Sequence, residues 1–363
     1  MKDVKEDKKR QVIEQQIASP AEVFNALRQG IPVVTGYKRL ATVTFQTFEQ
    51  AMVDEGHQVW PTPRIWTWSD WLQDVWEQAV VAGSVPASEF LLTSQQELRI
   101  WEDIITESMG REPVQQLSGM AHEVQQAWQL IRSWQIPLNR DRFLYNRDST
   151  AFFTWATRFK ARCANQHWLP DIDLAERLQQ SLQAGKLEVP GELVLIGFEE
   201  LTPQQDLLLS TLADHGCRVR WIVHPSRAGR ASRAAYPDAR EEAEGMARWV
   251  RAQLEANPVA RIGVVVPEFV AQRDIVVQVL DEILTPGAAC PGQASVSRPY
   301  NLSLGLPLSE YPVVGTALQL LELQRPVVSL ETVGRLLRSP FIPGWESEAG
   351  SRALLDVQLR KAR

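Results

Sequence analysis

Short apolar runs rich in β-branched residues alternate with amphipathic stretches along the first part of the chain. The runs 31–35, 192–198 and 218–224 have the length and composition of buried parallel strands, and 62–68 is a further short element. Helices are predicted over 20–28, from 37 to about 53, over 70–81 after Ser69 as N-cap, and over 204–215 after Thr202 and Pro203. This alternation predicts an α/β fold with a parallel sheet.

From 87 to about 185 the pattern becomes almost entirely helical. Breaks fall near 110–113 and 136–139. We interpret this stretch as an all-α insertion between two strands of the first sheet. Its apolar positions include several tryptophans: Trp101, Trp128, Trp134, Trp155 and Trp168.

A basic stretch of small residues over 225–233 predicts a domain boundary, with a first domain over 1–230 and a second over 231–363. In the second domain we expect a helix from Asp238 to about 254, a buried strand over 262–266 and a short strand over 299–303. Further helices are expected over 270–284, 312–323 and 330–337. A last helix from about 353 has no Gly or Pro stop, so we expect the natural protein to continue and the second domain to be incomplete.

Composition narrows the class of protein. The 363 residues are 44% hydrophobic and 23% charged, which fits two globular domains. The net charge of -6 means that a nucleic acid would have to bind a local basic groove. No apolar stretch approaches about 20 residues and the amino terminus lacks a secretory signal, so we expect a cytoplasmic protein with no membrane partner. The thirteen Trp favour large helical cores over stacking platforms.

The turn after the strand 31–35 is where a nucleotide-binding α/β domain holds phosphate. A working phosphate loop needs several Gly-rich residues followed by Lys and Ser or Thr. Here the turn with Gly36, Lys38 and Arg39 is shorter, and no Ser or Thr follows Lys38 to bind Mg²⁺. Glu199 and Glu200, at the end of another strand, could hold Mg²⁺ in an ATPase, but without a phosphate loop an exposed acidic loop is the preferred interpretation. We therefore predict a degenerate nucleotide site.

Basic and aromatic residues are candidates for nucleic-acid contact. Arg64, Trp66 and Trp68 could contact single strands, although Trp68 and Trp71 also fit the apolar stripe of a helix, and Trp71 is assigned to the core. The arginines near the boundary could line a groove or be solvated surface: Arg218, Arg220, Arg227, Arg230 and Arg233. The strongest candidates for nucleic-acid binding are Arg39, Arg64, Trp66, Trp68, Arg227 and Arg230.

Catalytic and metal sites are not predicted. The three Cys form no CxxC pair, which is typical of reduced thiols. The five His form no HxxxH set, and the GxSxG motif of a serine nucleophile is missing from the sequence.

Several segments, taken in order along nearly the whole chain, resemble the front of the AddB/RecB-like DNA repair proteins of bacteria. They are 33–41, 59–72 with its Trp-Pro-Thr-Pro and Trp-Ser-Asp-Trp-Leu motifs, 192–204, 238–244, 262–267 and 302–311. The segment 192–204 is similar to that family's degenerate Walker B strand. The resemblance implies UvrD-like helicase architecture, with two RecA-like lobes of the P-loop NTPase fold, the first carrying the helical insertion.

The same resemblance implies a carboxyl-terminal PD-(D/E)XK nuclease that uses Mg²⁺, a segment that residues 1–363 do not contain. Intact helicases of the group carry a complete P-loop, from which 36–39 departs. We therefore expect a helicase-like, ATPase-deficient part of a DNA repair and recombination nuclease. It would bind single-stranded DNA, with a helicase subunit as a further partner and no cofactor in this segment. Two alternatives stay open: a protein-interaction scaffold without DNA contact, and an unorthodox ATP-dependent helicase.

Overall fold

The computed structural model describes residues 14–17, 20–86, 88–109, 117–223, 229–286, 297–325 and 327–361, with only the backbone of 14–17 and of residue 20. The chain divides into two compact units, residues 1–229 and 230–363. Each unit is described by itself.

Two parallel sheets form in the first unit. The central one has five strands in the spatial order β1-β7-β6-β2-β3, and the other pairs β4 with β5. The strands are β1 (Glu14–Ile17), β2 (Val33–Thr35), β3 (Ile65–Thr67), β4 (Phe90–Leu91), β5 (Trp168–Leu169), β6 (Glu192–Ile196) and β7 (Arg218–Val223). The predicted α/β fold with buried parallel strands is confirmed, whereas β1, β4 and β5 were not predicted.

Side chains alternate between the two faces of each strand, so these apolar strands present buried residues on both faces of the central sheet. Helices cover both faces. Val33 and Val194 face α1 (Pro20–Arg28) and α2 (Lys38–Asp54). On the other face, Val34 and Leu195 lie in the core that includes residues of three other helices. Those helices are α3 (Trp68–Val81), α7 (Leu174–Gln183) and α8 (Pro203–Asp214). The result is a three-layer α/β domain.

The predicted helical insertion has its own aromatic core. It comprises α4 (Ser94–Met109), α5 (Leu117–Ser133) and α6 (Arg147–Gln166), with short 3-10 helices at Arg140–Phe143 and Asp171–Asp173. Trp101 stacks on Phe159 at 4.0 Å between ring centroids, and Trp128 packs edge-on to the same ring at 5.6 Å. These tryptophans are core residues, as predicted, but Trp134 is 43% exposed.

The observed first residues of the helices can be compared with the predicted N-cap residues. Helix α3 begins at Trp68, so Thr67 and not Ser69 is its N-cap; Thr67 Oγ1 accepts from the Asp70 amide. Ser69 instead donates to Asp171 at 2.8 Å. The prediction for α8 is confirmed, since Thr202 caps it in a reciprocal pair of bonds with Gln205.

The second unit is helical in the residues that the structure describes. Its helices are α9 (Ala239–Ala256), α10 (Phe269–Leu284), α11 (Pro312–Glu322), α12 (Leu330–Leu337) and α13 (Trp345–Lys361). Asp238 caps α9 as predicted, and α13 begins before the predicted 353. The predicted strands 262–266 and 299–303 are wrong, since both segments are irregular and Val265 is 89% exposed. A strand needs a ladder partner, and none forms in the described part of this unit.

Two cysteine thiols are buried in the first unit. Burial raises the pKa of Cys163 to about 12 and the pKa of Cys217 to about 11. Both therefore remain protonated at neutral pH and are poor nucleophiles. Cys290 lies outside the described residues.

Candidate functional site at the carboxyl edge of the sheet

The order of strands fixes where a ligand site is expected. After β2 the chain forms β3 on one side, and it later returns to form β6 on the other side. Open parallel sheets bind ligands in the crevice outside the carboxyl ends of two strands at such a reversal. Here that crevice would lie between the turn after β2 and the turn after β6. Both turns were predicted as the degenerate nucleotide site.

Backbone atoms of the two turns approach each other closely in this crevice. The Gly36 amide donates to the Ile196 carbonyl at 3.0 Å and so continues the ladder between β2 and β6. A Cβ added to Gly36 would lie only 2.3 Å from the Gly197 carbonyl oxygen. Only glycine permits this approach, and the Gly36 amide is already used. The Gly36 amide is therefore not free to bind phosphate, as the amides of a phosphate loop do.

Leu40 and Tyr37 close the other side of the crevice. Gly197 has a φ of +71°, and a Cβ there would lie 2.3 Å from Leu40 Cδ2 and 3.4 Å from the Tyr37 ring. The Leu40 side chain thus lies over the backbone of Gly197.

The start of α2 carries positive charge at this edge of the sheet. Its N-cap, Tyr37, is extended and makes no side-chain capping bond. The amides of Leu40 and Ala41 are directed at the Tyr37 carbonyl, at 3.1 and 3.4 Å. Lys38 and Arg39 are exposed in the first turn, where the helix dipole already adds partial positive charge.

The acidic pair lies at the same edge of the sheet. Glu199 and Glu200 follow β6 and are both exposed, directly before α8. No group of three or more His, Cys, Asp or Glu in the described residues could hold a metal ion. Glu199 and Glu200 therefore lie in an exposed acidic loop, which was the preferred interpretation of the sequence, and this loop is near the positive start of α8.

Aromatic side chains hold the β6 turn in place, a feature that the sequence analysis missed. Trp221 Nε1 donates to the Phe198 carbonyl at 3.1 Å. Trp68 packs edge-on to the Phe198 ring at 6.3 Å, and Trp71 packs against Trp68 at 5.4 Å. An aromatic residue just beyond a predicted strand, as at Phe198, is the signal that could have indicated this contact.

Trp66 lies in the edge strand β3, Arg64 directly precedes that strand, and Trp68 follows it as the first residue of α3. The Arg64 guanidinium lies 5.3 Å from the centroid of the Trp66 ring. Arg64 is exposed, whereas Trp66 and Trp68 are half-buried against the core that contains Trp71. The assignment of Trp71 to the core is confirmed, at 4% exposed.

The described arginines near the domain boundary are divided between the two units. Arg218 and Arg220 lie at the amino-terminal part of β7, away from the carboxyl edge. Arg220 forms an ion pair with Glu192 at 2.5 Å and its side chain is only 14% exposed. Arg227 lies outside the described residues. Arg230 is exposed but belongs to the second unit.

No protein-family model matches the chain, and no curated protein matches its sequence. Within the described residues, the helices are too short or too polar to cross a membrane.

Proposed function

We propose that residues 1–229 form a helicase-like, ATPase-deficient scaffold that binds single-stranded DNA along the carboxyl edge of the central sheet. The contact between Gly36 and Gly197 carries the proposal. It brings the Gly36 and Gly197 backbones together where this kind of fold binds nucleotides, while the same edge presents Lys38 and Arg39 to solvent.

Exposed side chains at the start of α2 match the chemistry of a single strand, whereas Glu199 and Glu200 at the same edge would repel its phosphates. Lys38 and Arg39 can contact phosphates, and Tyr37, which is 55% exposed, offers a ring on which a base can stack. Arg64 directly precedes β3 at the amino end of that strand, so it is a separate candidate contact and not part of this edge. Because the chain carries a net charge of -6, attraction to DNA would be local. We expect a slope of log K against log salt of about -1.4, the value for about two phosphate contacts with a single strand.

The resemblance to AddB/RecB-like proteins supports a wider role in DNA repair and recombination in the bacterial cytoplasm. In that role the scaffold would work with a helicase subunit and with a Mg²⁺-dependent nuclease formed by other residues of a longer protein. The proposal takes the first unit as a degenerate RecA-like lobe. The proposal concerns the first unit alone, so it does not depend on whether the second unit contains a sheet.

Fluorescence anisotropy with a labelled oligothymidine tests the proposal. The double variant Lys38→Glu and Arg39→Glu should weaken binding at least about tenfold, equivalent to about 1.4 kcal/mol. The control is Arg140→Glu with Arg142→Glu, which reverses two exposed cations in the insertion and should leave the affinity within about twofold. No binding at micromolar protein and low salt, or an equal effect of both pairs, would contradict the proposal.

A protein-interaction scaffold without DNA contact is the second candidate. It is favoured by large apolar side chains exposed in the second unit: Val265, Val270, Leu308, Leu321 and Leu354. A complex with another protein whose affinity does not change with salt, together with no affinity for oligothymidine, would favour this candidate over the first.

A further inference from the structure

Two arginines of the second unit converge on one carboxylate where α12 packs against α13. The carboxylate is Asp356 of α13, a residue that is 9% exposed. Arg338, directly after α12, donates from Nη1 to Asp356 Oδ2 at 2.6 Å, and Arg360 of α13 donates from Nε to Oδ1 at 3.1 Å. Both carboxylate oxygens are therefore in use, and one negative charge holds two cations.

Gly334 of α12 allows the two guanidinium groups to come together. A Cβ at this position would lie 2.7 Å from Asp356 Oδ1, 2.9 Å from Arg360 Nη2 and 3.3 Å from Arg338 Nη1. Nitrogen atoms of both arginines thus occupy the space beside the glycine where any other residue would carry a side chain. A side chain at residue 334 would push the two guanidinium groups apart.

Most of the hydrogen-bond donors of these two arginines are not used within the protein. A guanidinium group has five N–H donors in a planar fork. Apart from the bonds to Asp356, neither guanidinium makes a hydrogen bond to another described residue. The side chains are about half exposed, 50% for Arg338 and 54% for Arg360. A ligand from solvent can therefore reach the remaining N–H groups.

The charge of this cluster is not balanced, because two guanidinium cations share one carboxylate. The neighbouring arginines on the same helices are paired one to one: Arg335 with Glu331, and Arg352 with Glu348. Both guanidinium groups of the cluster reach back about one turn from the helix ends. The negative ends of the helix dipoles act mainly within the last turn, so they offset little of the excess positive charge.

We infer that Arg338 and Arg360 form a binding site for a phosphate group. The oxygens of a tetrahedral phosphate point in different directions, so one phosphate can accept from two guanidinium forks, and its negative charge offsets the excess positive charge. A phosphate of a nucleic-acid backbone and that of a small molecule share this chemistry. The site belongs to the second unit, so the inference does not rest on DNA binding by the first unit.

Nuclear magnetic resonance of the full chain tests the inference through the Nε–H signals of its arginines. Inorganic phosphate at millimolar concentration and constant ionic strength should shift the signals of Arg338 and Arg360. The internal control is Arg251 in α9, which pairs with Glu255 and is similarly exposed, at 55%; its signal should not move. Sodium acetate at the same concentration should shift none of the three signals.

Oligothymidine distinguishes the two sources of phosphate. It should shift the Arg338 and Arg360 signals at lower concentrations than inorganic phosphate does if the natural ligand is a nucleic-acid backbone, and it should leave them unchanged if the site accepts only small phosphates. Either result, together with the response to inorganic phosphate, supports the site.

The matched variants are Arg338→Gln and Arg251→Gln, with the Arg360 signal as the readout in both. Arg338→Gln removes one of the two forks and should weaken phosphate binding at least about tenfold, whereas Arg251→Gln should leave the affinity within about twofold. Gly334→Ala keeps both charges but separates the guanidinium groups, so it should also weaken binding, and it tests the site even if Arg338→Gln fails to fold. The inference is overturned if phosphate shifts neither signal, if acetate shifts them equally, or if Gly334→Ala and Arg251→Gln bind phosphate alike.

Discussion

Glu97 is a buried carboxyl group whose ionisation should control the stability of the helical insertion. It is 1% exposed in α4, within the aromatic core. Its burial raises the pKa from 4.5 to about 7. The bonds from Trp101 Nε1, at 3.2 Å, and from Gln125 oppose this rise, while the nearby Asp173 and Asp171 add to it.

The direction of the pH dependence follows from the raised pKa. Between pH 4.5 and about 7 the folded protein keeps a proton on Glu97 that the unfolded chain has released. The free energy of unfolding therefore falls as pH rises through this window, and this contribution is constant above it. At about 1.4 kcal/mol for each pKa unit, the loss over the whole window is at most about 3–4 kcal/mol.

Glu97→Gln removes this titration and keeps an oxygen that can accept the bond from Trp101. Urea unfolding, followed by tryptophan fluorescence between pH 5 and 8, should show the wild-type protein losing up to about 3 kcal/mol more than the variant. At pH 8 the variant should be the more stable protein. The control is Glu123→Gln, at an exposed position of α5, which should follow the wild-type profile. Parallel profiles of the wild-type and Glu97→Gln proteins would refute the reasoning.

Three further variants test local geometry through the free energy of unfolding. Gly36→Ala directs a Cβ at the Gly197 carbonyl oxygen and should cost about 1–3 kcal/mol; an unchanged urea midpoint would argue against the contact. Gln135→Gly relieves a left-handed residue and should stabilise by about 1 kcal/mol, whereas Gln129→Gly within α5 should destabilise by about as much; thermal shifts of the same sign would count against this. Thr202→Ala removes the cap of α8 and should cost about 1 kcal/mol, so chemical unfolding identical to that of the wild type would show that the cap is dispensable.

The sequence was sufficient to predict those strands and helices whose own residues show an apolar run or a capping residue. The runs that became β2, β6 and β7 are apolar enough to show that they are buried. Thr202 and Asp238 were identifiable as caps because a polar residue directly precedes a helical pattern. Gly36 could be identified as a short turn, but its contact with Gly197 could not, because the two glycines are far apart in the sequence.

Features that depend on distant partners could not be predicted. Strands β4 and β5 have two residues each, too few to show a period. The segment 262–266 has the composition of a buried strand, yet whether it becomes one depends on a neighbouring strand. Arg220 was predicted as a residue that could line a groove, but the register of the strands places it beside Glu192, with which it forms an ion pair. Glu97 is indistinguishable in sequence from the exposed polar residues of an amphipathic helix.

Hydrogen exchange of the segment 36–41 in the full chain tests the central claim most directly, because one measurement compares the two ligands at the same amides. Oligothymidine at low salt should slow exchange at the start of α2, and Mg²⁺ with ATP should leave it unchanged. Protection by ATP would show that the crevice between Gly36 and Gly197 opens to admit a triphosphate and would contradict the account.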